Sequence, residues 1–475
     1  MGAERRGPTT VARHEKDYLL KSFYLISLGC PKNLVDSEGI ATLLQRAGYE
    51  PAAVPGEADL LIVNTCGFIE PAREESRAVL RDLAASKRPE QRIIAAGCYS
   101  ERYPRELADE VPGIDALIGT RRWMEILDLV EQLEGREKQP PPAQPVYHLP
   151  EAPTVGQDTR GVIRAAAQGA SAYLKLADGC RRACAFCAIP LIKGPAVSRP
   201  PEDILRDARR LADLGFQEII LIAQDTTDYG HDLDVEHGVD EQHPLATLLE
   251  SLVERVPEVP WIRLMYAYPG QITERLIATM ARHPQVLPYV DLPLQHADPD
   301  LLRRMRRPAN VNRVRDTIGS LRDAMPEIAI RTTFLVGYPG ETEEAFQTLL
   351  EFVEEMRFDR VGVFTYSEEE GTPAAELEDD VPAEVKEDRR ERLMAVQQPI
   401  SLGKNQELVG ETLDVLIEGQ DEGLSVGRSY RDAPEVDGLV LVQEELPIEE
   451  LLPVRVVAAM TYDLIAESSS QFEDR

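Results

Sequence analysis

No uncharged apolar run in this chain approaches the ~20 residues that a helix needs to cross a bilayer, so no membrane span is expected. Cysteine is sparse. Six in 475 residues are too few for a disulfide scaffold, and a reducing compartment would leave them free for metal. The first twenty residues, MGAERRGPTTVARHEKDYLL, carry basic side chains but no apolar signal core. They read as a disordered leader of a cytoplasmic protein. Positive charge is also in deficit: 52 Lys and Arg stand against 83 Asp and Glu, a formal net charge of -31. Proteins that wrap RNA or DNA usually present a basic face, because phosphate contacts dominate that binding. The acidity therefore points to a cationic partner, or serves solubility alone.

The length exceeds one compact core and implies two to four domains. After the leader (1–20), residues 21–134 alternate strand and helix signals. SFYLISL, ADLLIVNT and QRIIAAG have strand length, and DSEGIATLLQRAG and EPAREESRAVLRDLAAS carry apolar residues at helical spacing. That alternation predicts an α/β domain with a doubly wound parallel sheet. Residues 135–160, rich in proline, read as a linker. Over 161–398 the alternation resumes through SAYLKLA, QEIILIAQ, WIRLMYAYP, YVDLPLQ, IAIRTTFLVGYPGE and DRVGVFTYS. Six strand–helix repeats predict a partial (βα)6 barrel resembling the TIM fold, with its site in the loops after the strands. Residues 399–467 change to short alternating segments and predict a small antiparallel β-barrel; 468–475 form a loose tail. From 405 to 467 fifteen Asp and Glu face three Arg, a net of -12 (3 - 15) on this module.

The six cysteines fall into two sets of three. Cys180, Cys184 and Cys187 lie in GCRRACAFCAIP, spaced C-x-x-x-C-x-x-C, after the first strand of the expected barrel. Cys30, Cys66 and Cys98 each follow a strand of the N-terminal domain. Parallel strands present their carboxyl ends on one edge, so these three residues can converge. Three thiolates without a fourth suggest two metal centres that each keep a position open, as reactive centres do. Structural zinc would need a fourth ligand from elsewhere, and the chain has only seven histidines. An iron–sulfur cluster with one unique iron fits the clustered set better. For the scattered set, three buried structural cysteines remain the competing reading.

The clustered run, with Phe186 just before its last cysteine, resembles the signature of the radical S-adenosylmethionine superfamily. With the second trio and the small C-terminal barrel, the chain resembles the methylthiotransferase family over about residues 21 to 467. SLGCPKNLVDSE, NTCGFI, DLPLQH, RTTFLVGYPGET, VGVFTYSEEEGTPA and GRSYRDAPEVDG resemble its RimO branch, which acts on ribosomal protein S-twelve. The resemblance implies two [4Fe–4S] clusters. One, on Cys180, Cys184 and Cys187, would bind S-adenosylmethionine and yield a 5′-deoxyadenosyl radical. The other, on Cys30, Cys66 and Cys98, would deliver the sulfur. It implies a methylthio group inserted at the β-carbon of one aspartate of S-twelve, free or in the small subunit, and a C-terminal domain of TRAM type. Such domains are usually RNA binders, but this one is acidic, so no strong nucleic-acid binding is expected. The rival readings are the same chemistry on an adenosine of transfer RNA, and a non-catalytic iron–sulfur or zinc module that binds ribosomes. An electron donor and a sulfur donor are also required, and the sequence identifies neither.

Other residues carry two readings each. Gln224 and Asp225 follow a strand where the superfamily contacts the methionine part of the cofactor, or form a plain polar loop. Arg331 orients the cofactor carboxylate or is solvated at a strand edge. Gly337 and Gly340 let backbone approach the adenine or shape an ordinary turn. Gln295 and His296 end a strand at the barrel mouth, where a lone histidine is more often structural. The basic run 303–315 binds an acid or faces solvent. No catalytic acid–base pair stands out, and radical chemistry does not require one.

Overall fold

The computed structural model describes residues 21–136, 144–149, 160–234 and 243–468; the expected leader, most of the expected linker and the tail from 469 onward lie outside them. In the N-terminal domain, strands β1 (Ser22–Ser27), β2 (Glu50–Pro51), β3 (Leu60–Thr65), β4 (Arg92–Gly97), β5 (Ala116–Gly119) and β6 (Val146–His148) form one sheet. Its order is β2-β1-β3-β4-β5-β6 and every pairing is parallel. The helices are α1 (Pro31–Arg46), α2 (Glu70–Ser86), α3 (Cys98–Arg102), α4 (Pro104–Glu110) and α5 (Ile126–Arg136). Successive side chains of a strand point to opposite faces, so β3 serves two cores. Leu60 and Ile62 pack with Ile40 and Leu44 of α1 and Leu129 of α5. Leu61 and Val63 pack with Leu80 of α2 and Leu107 of α4. The sheet is doubly wound, as expected. β6 departs from the expected linker: its three residues lie among prolines and extend the sheet edge beside β5.

The central domain comprises β7 (Ala165–Gln168), β8 (Ser171–Lys175), β9 (Ala177–Asp178), α6 (Ile189–Lys193), β10 (Val197–Ser198), α7 (Pro201–Asp213), β11 (Glu218–Ile222), α8 (Pro244–Arg255), β12 (Trp261–Leu264), α9 (Glu274–Arg282), β13 (Tyr289–Asp291), α10 (Pro299–Arg304), α11 (Val311–Ala324), β14 (Ala329–Val336), α12 (Glu343–Met356), β15 (Arg360–Thr365) and α13 (Ala383–Gln406). β8, β11 and β12 pair in parallel, as do β13, β14 and β15. A parallel bridge from Ile262 to Val286 joins the two groups, which completes six parallel strands. Strand alternation again divides the layers: Ile219 and Leu221 face the helices, while Ile220 and Ile222 face the barrel interior. That interior also receives Val35 of α1 and Leu416 and Ala433 of the C-terminal module. The open side of the partial barrel is thus packed by its neighbours.

The C-terminal strands β16 (Thr412–Asp421), β17 (Leu424–Ser429), β18 (Val440–Val442), β19 (Leu451–Ala459) and β20 (Leu464–Ser468) close into a barrel. α13 runs unbroken through the expected boundary at 398/399 and carries Pro399 within it. The barrel docks on the core through buried ion pairs. Arg428 Nη2 donates to Glu218 Oε2 at 2.7 Å, and Arg263 Nε donates to the other oxygen at 2.6 Å. Arg431 pairs with Asp359 at 2.7 Å and Arg360 with Asp432 at 2.8 Å.

Candidate metal centres and the chamber between them

Cys180, Cys184 and Cys187 occupy the loop between β9 and α6. Gly179 enters it at φ +71, and a side chain there would strike the Pro195 carbonyl, so only glycine fits. The loop is pinned from outside: Cys180 N donates to Gly194 O at 3.1 Å, Ala185 N to Met305 O at 2.9 Å, and Ala185 O accepts from Ala374 N at 2.8 Å. The three cysteines line a cavity of about 300 Å3 that is also lined by Phe186, Gln224, Asp225 and Gln295. Phe186 packs against Met305, Leu335 and Tyr338. Asp225 accepts from Thr227 Oγ1 at 2.5 Å and from Arg182 Nε at 2.7 Å. Burial pushes the Cys180 thiol up to about 11 and Cys187 up to about 12. Only a strong electrophile such as a metal would take such thiols as thiolates at neutral pH.

The second trio is built by the sheet edge. Cys30 precedes α1, Cys66 follows β3 and Cys98 opens α3 directly after β4. Gly67 lies so close to α3 that a Cβ on it would stand 2.6 Å from Tyr99 Cα. Asn33 ties the loops together. Its amide donates to Leu28 O and Thr65 O at 3.1 Å each, and its Oδ1 accepts from Cys98 Sγ at 3.5 Å. Burial raises the Cys66 thiol, and Cys98 reaches about 12. Cys30 differs. It is accessible to solvent although protein surrounds it, as at the wall of a recess. Burial pushes its thiol up, but Lys32, Lys193 and the backbone N–H groups of Asn33 and Lys32 outweigh that, and its pKa falls below the ordinary value.

Among the described residues no three His, Cys, Asp or Glu side chains are drawn tightly enough around one point to hold a single ion. A four-iron, four-sulfide cube is wider than one ion, and the thiols of Cys180, Cys184 and Cys187, spread round their cavity, suit it better. Each donor set is three thiols with no fourth protein ligand among the described residues, which fits a cluster with one open iron.

The two trios are neighbours. Cys98 packs on Ala188 and Ile192, just past Cys187. Phe68, two residues after Cys66, lines the chamber of the other trio. So does Tyr266, whose ring centroid lies 2.8 Å from Lys32 Nζ. Tyr266 sits at φ 62, a costly conformation for a bulky side chain, and its N–H donates to Asp291 Oδ2 at 3.3 Å. Tyr268 is flanked by Arg182 and Arg307, 4.4 and 4.2 Å from its ring centroid, and Arg307 Nη1 donates to Cys184 Sγ at 3.6 Å.

Gln224, Asp225 and Phe186 line that chamber. Arg331 does not line that chamber: it lies near the start of β14, paired to Asp291 at 2.8 Å and Asp437 at 3.4 Å. Asp291 links it to the chamber wall, since the other oxygen of that carboxylate accepts from the Tyr266 N–H. His296 is buried. Its Nδ1 accepts from Asp298 N at 2.9 Å, so its Nε2 carries the proton and donates to Glu341 at 3.0 Å, a structural role. Gly337 and Gly340 shape the turn before α12, and Gly340 N donates to Asp380 at 2.6 Å. Within the basic run, only Arg307 lines the chamber. Lys32, Asn33, Tyr266 and Tyr268 were not singled out by sequence. The one available signal was the position of both tyrosines just after a barrel strand.

The sequence matches the uncharacterized protein family UPF0004 over residues 22–119, the radical SAM superfamily over 174–353 and the TRAM domain over 409–468. It is 50% identical over 460 residues to the ribosomal protein uS12 methylthiotransferase RimO of Chloroflexus aurantiacus, covering 94% of this chain and 100% of that protein. The protein of that name from Roseiflexus sp. is 49% identical, with coverage of 94% and 96%. That of Synechocystis sp. is 44% identical, with coverage of 94% and 97%. Among solved structures, the radical S-adenosylmethionine methyltransferase TsrM from Kitasatospora setae superposes with a TM-score of 0.55 at 14% identity, covering 86% of this chain and 81% of that one; it shares the fold. A radical SAM core flanked by a UPF0004 domain and a TRAM barrel, with near-full-length identity to these relatives, places the chain in the ribosomal protein uS12 methylthiotransferase RimO family.

Proposed function

We propose that this enzyme inserts a methylthio group at the β-carbon of an aspartate in ribosomal protein uS12. The reading is supported above all by the shared wall between the two trios: Tyr266 borders the chamber of Cys180, Cys184 and Cys187 and faces the loop of Cys30. Radical generation and sulfur delivery can then meet one carbon, and such proximity supplies much of the catalytic advantage. Cys180, Cys184 and Cys187 would hold one [4Fe–4S] cluster and Cys30, Cys66 and Cys98 the other. Bound there with S-adenosylmethionine, these groups supply the radical that opens a C–H bond and the sulfur that replaces the hydrogen. The chain's own side chains place and shield. Asp225 fixes Arg182, Arg182 and Arg307 hold Tyr268 between them, and Phe186, Tyr266 and Tyr268 wall the chamber against water.

The acidic C-terminal barrel would recruit the substrate. Of its three arginines, Arg428 and Arg431 are buried in ion pairs with the core, which leaves its surface dominated by carboxylates. Such a surface suits a basic protein and repels phosphate. Among the described residues no helix is long and apolar enough to cross a membrane. Mass spectrometry of uS12 from cells with and without this enzyme tests the function. The methylthio mass on one aspartate should appear only with it. Unmodified uS12 in both strains, together with tight, salt-sensitive binding of bulk transfer RNA, would overturn the reading.

A further inference from the structure

Lys32 stands in the first turn of α1, two residues after Cys30, and is 6% exposed. Its ammonium lies over the Tyr266 ring. Among the described residues it has no carboxylate within ion-pair distance and no hydrogen bond. The other buried cations nearby are matched. Lys175 has Asp36 and Asp178, and Lys193 has Asp36 and Thr120. Arg182 has Asp225 and Asp228, and Arg331 has Asp291 and Asp437. Asp291 is committed on both oxygens, one to Arg331 and one to the Tyr266 N–H. An ammonium that lies on an aromatic ring with no carboxylate paired to it is open to an incoming anion, and the Tyr266 ring beneath it is part of the wall shared by the two trios.

We propose that Lys32 is the receptor for the side-chain carboxylate of the substrate aspartate. The inference rests on the function proposed above and adds the residue that grips the substrate. The carboxyl carbon of aspartate is bonded directly to the β-carbon. A clamp on the carboxylate therefore fixes the carbon that reacts, beside Cys30 on one side and the Cys184 chamber on the other. Asparagine offers the same shape without the charge. Glutamate offers the charge but moves the β-carbon one bond further away. The clamp thus selects both the residue type and the carbon.

The test uses cluster-loaded enzyme and recombinant uS12 in two forms, native and with the target aspartate changed to asparagine. Binding is measured by titration calorimetry, with iron content and circular dichroism recorded for every variant. Wild-type enzyme should bind the aspartate form about 30-fold or more tightly than the asparagine form, as for a desolvated charge pair. Lys32→Met should bind both forms equally, at the weaker level, and raise KM for native uS12. Lys32→Arg should recover part of the preference. Lys32→Met that keeps its iron and still prefers aspartate overturns the proposal. So does loss of about half the iron on that substitution, since the ammonium would then serve the cluster. The wild-type comparison stands even where Lys32→Met folds poorly. Equal binding of both forms by an enzyme that modifies uS12 removes the clamp alone, whereas an enzyme that never modifies uS12 removes the function beneath it.

Discussion

Asn33 shows how one side chain can assemble a site. Its side-chain amide satisfies two carbonyls and a thiol from three separate segments, and its backbone carbonyl accepts from Asn64 Nδ2 at 2.9 Å. Asn33→Ala should cost about 1–3 kcal/mol of stability, the penalty for buried polar groups left unpaired. It should also speed iron loss from the N-terminal trio to a chelator while the other trio keeps its iron. Unchanged denaturation and iron release would contradict this role. The six cysteines were legible in the sequence because their count, spacing and position after strands are local signals. Asn33, Lys32 and Tyr266 were not, because their meaning lies in what the fold brings near them. The setting of Arg331 was hidden for a related reason: its pairing with Asp291 and Asp437 is made by the fold, and no local pattern encodes it.

Among the elements, α1 carries the most. One face packs Ile40, Leu43 and Leu44 on its own sheet, Val35 enters the barrel interior, and Asp36 lies at the centre of a buried ion cluster. Lys175 donates to Asp36 Oδ1 at 2.5 Å and Lys193 to Oδ2 at 3.1 Å, and Arg164 stands 3.5 Å away. Asp36→Asn would leave these cations under-compensated in the interior, and breaking such a cluster costs about 3–5 kcal/mol. Limited proteolysis and thermal melting should show the N-terminal domain loosening from the core; a melt within error of wild type would contradict it. The apolar rows of the helices were readable, but the first turn of α1, PKNLV, shows no helical period. Pro31 at N1 is preset for a helix start, and tertiary packing on both sides does the rest. β6 has three residues and no pattern to read, and α13 hid the domain boundary by continuing through it.

For the whole molecule, the docking of the C-terminal barrel is electrostatic and should respond to acid. Burial pushes the Glu218 carboxyl up, but Arg263 and Arg428 outweigh it and bring it down to about 2, against an ordinary value of 4.5. Asp359 is also lowered, burial being overcome by Arg431 and Lys404. A carboxylate held below its unfolded value stabilises fully above that value and loses the contribution as pH falls through the folded one. The stability supplied by Glu218 should therefore be complete above about pH 4.5 and fade towards pH 2. Near-UV circular dichroism against pH should show this, and Glu218→Gln should flatten that limb. An identical profile in the variant would contradict it. The three-domain plan was visible from alternation and charge alone, whereas the packing of both flanking domains into the barrel interior was not, since no local pattern encodes it.

The central claim is that two incomplete thiol cages serve one substrate carbon with separate duties. A single-turnover assay with reduced enzyme, S-adenosylmethionine and uS12, run on the wild type, Cys184→Ala and Cys66→Ala, tests it most directly. Cys184→Ala should form no 5′-deoxyadenosine, while Cys66→Ala should form it and leave uS12 without sulfur. Methylthiolated uS12 from Cys66→Ala at the wild-type level would contradict the account.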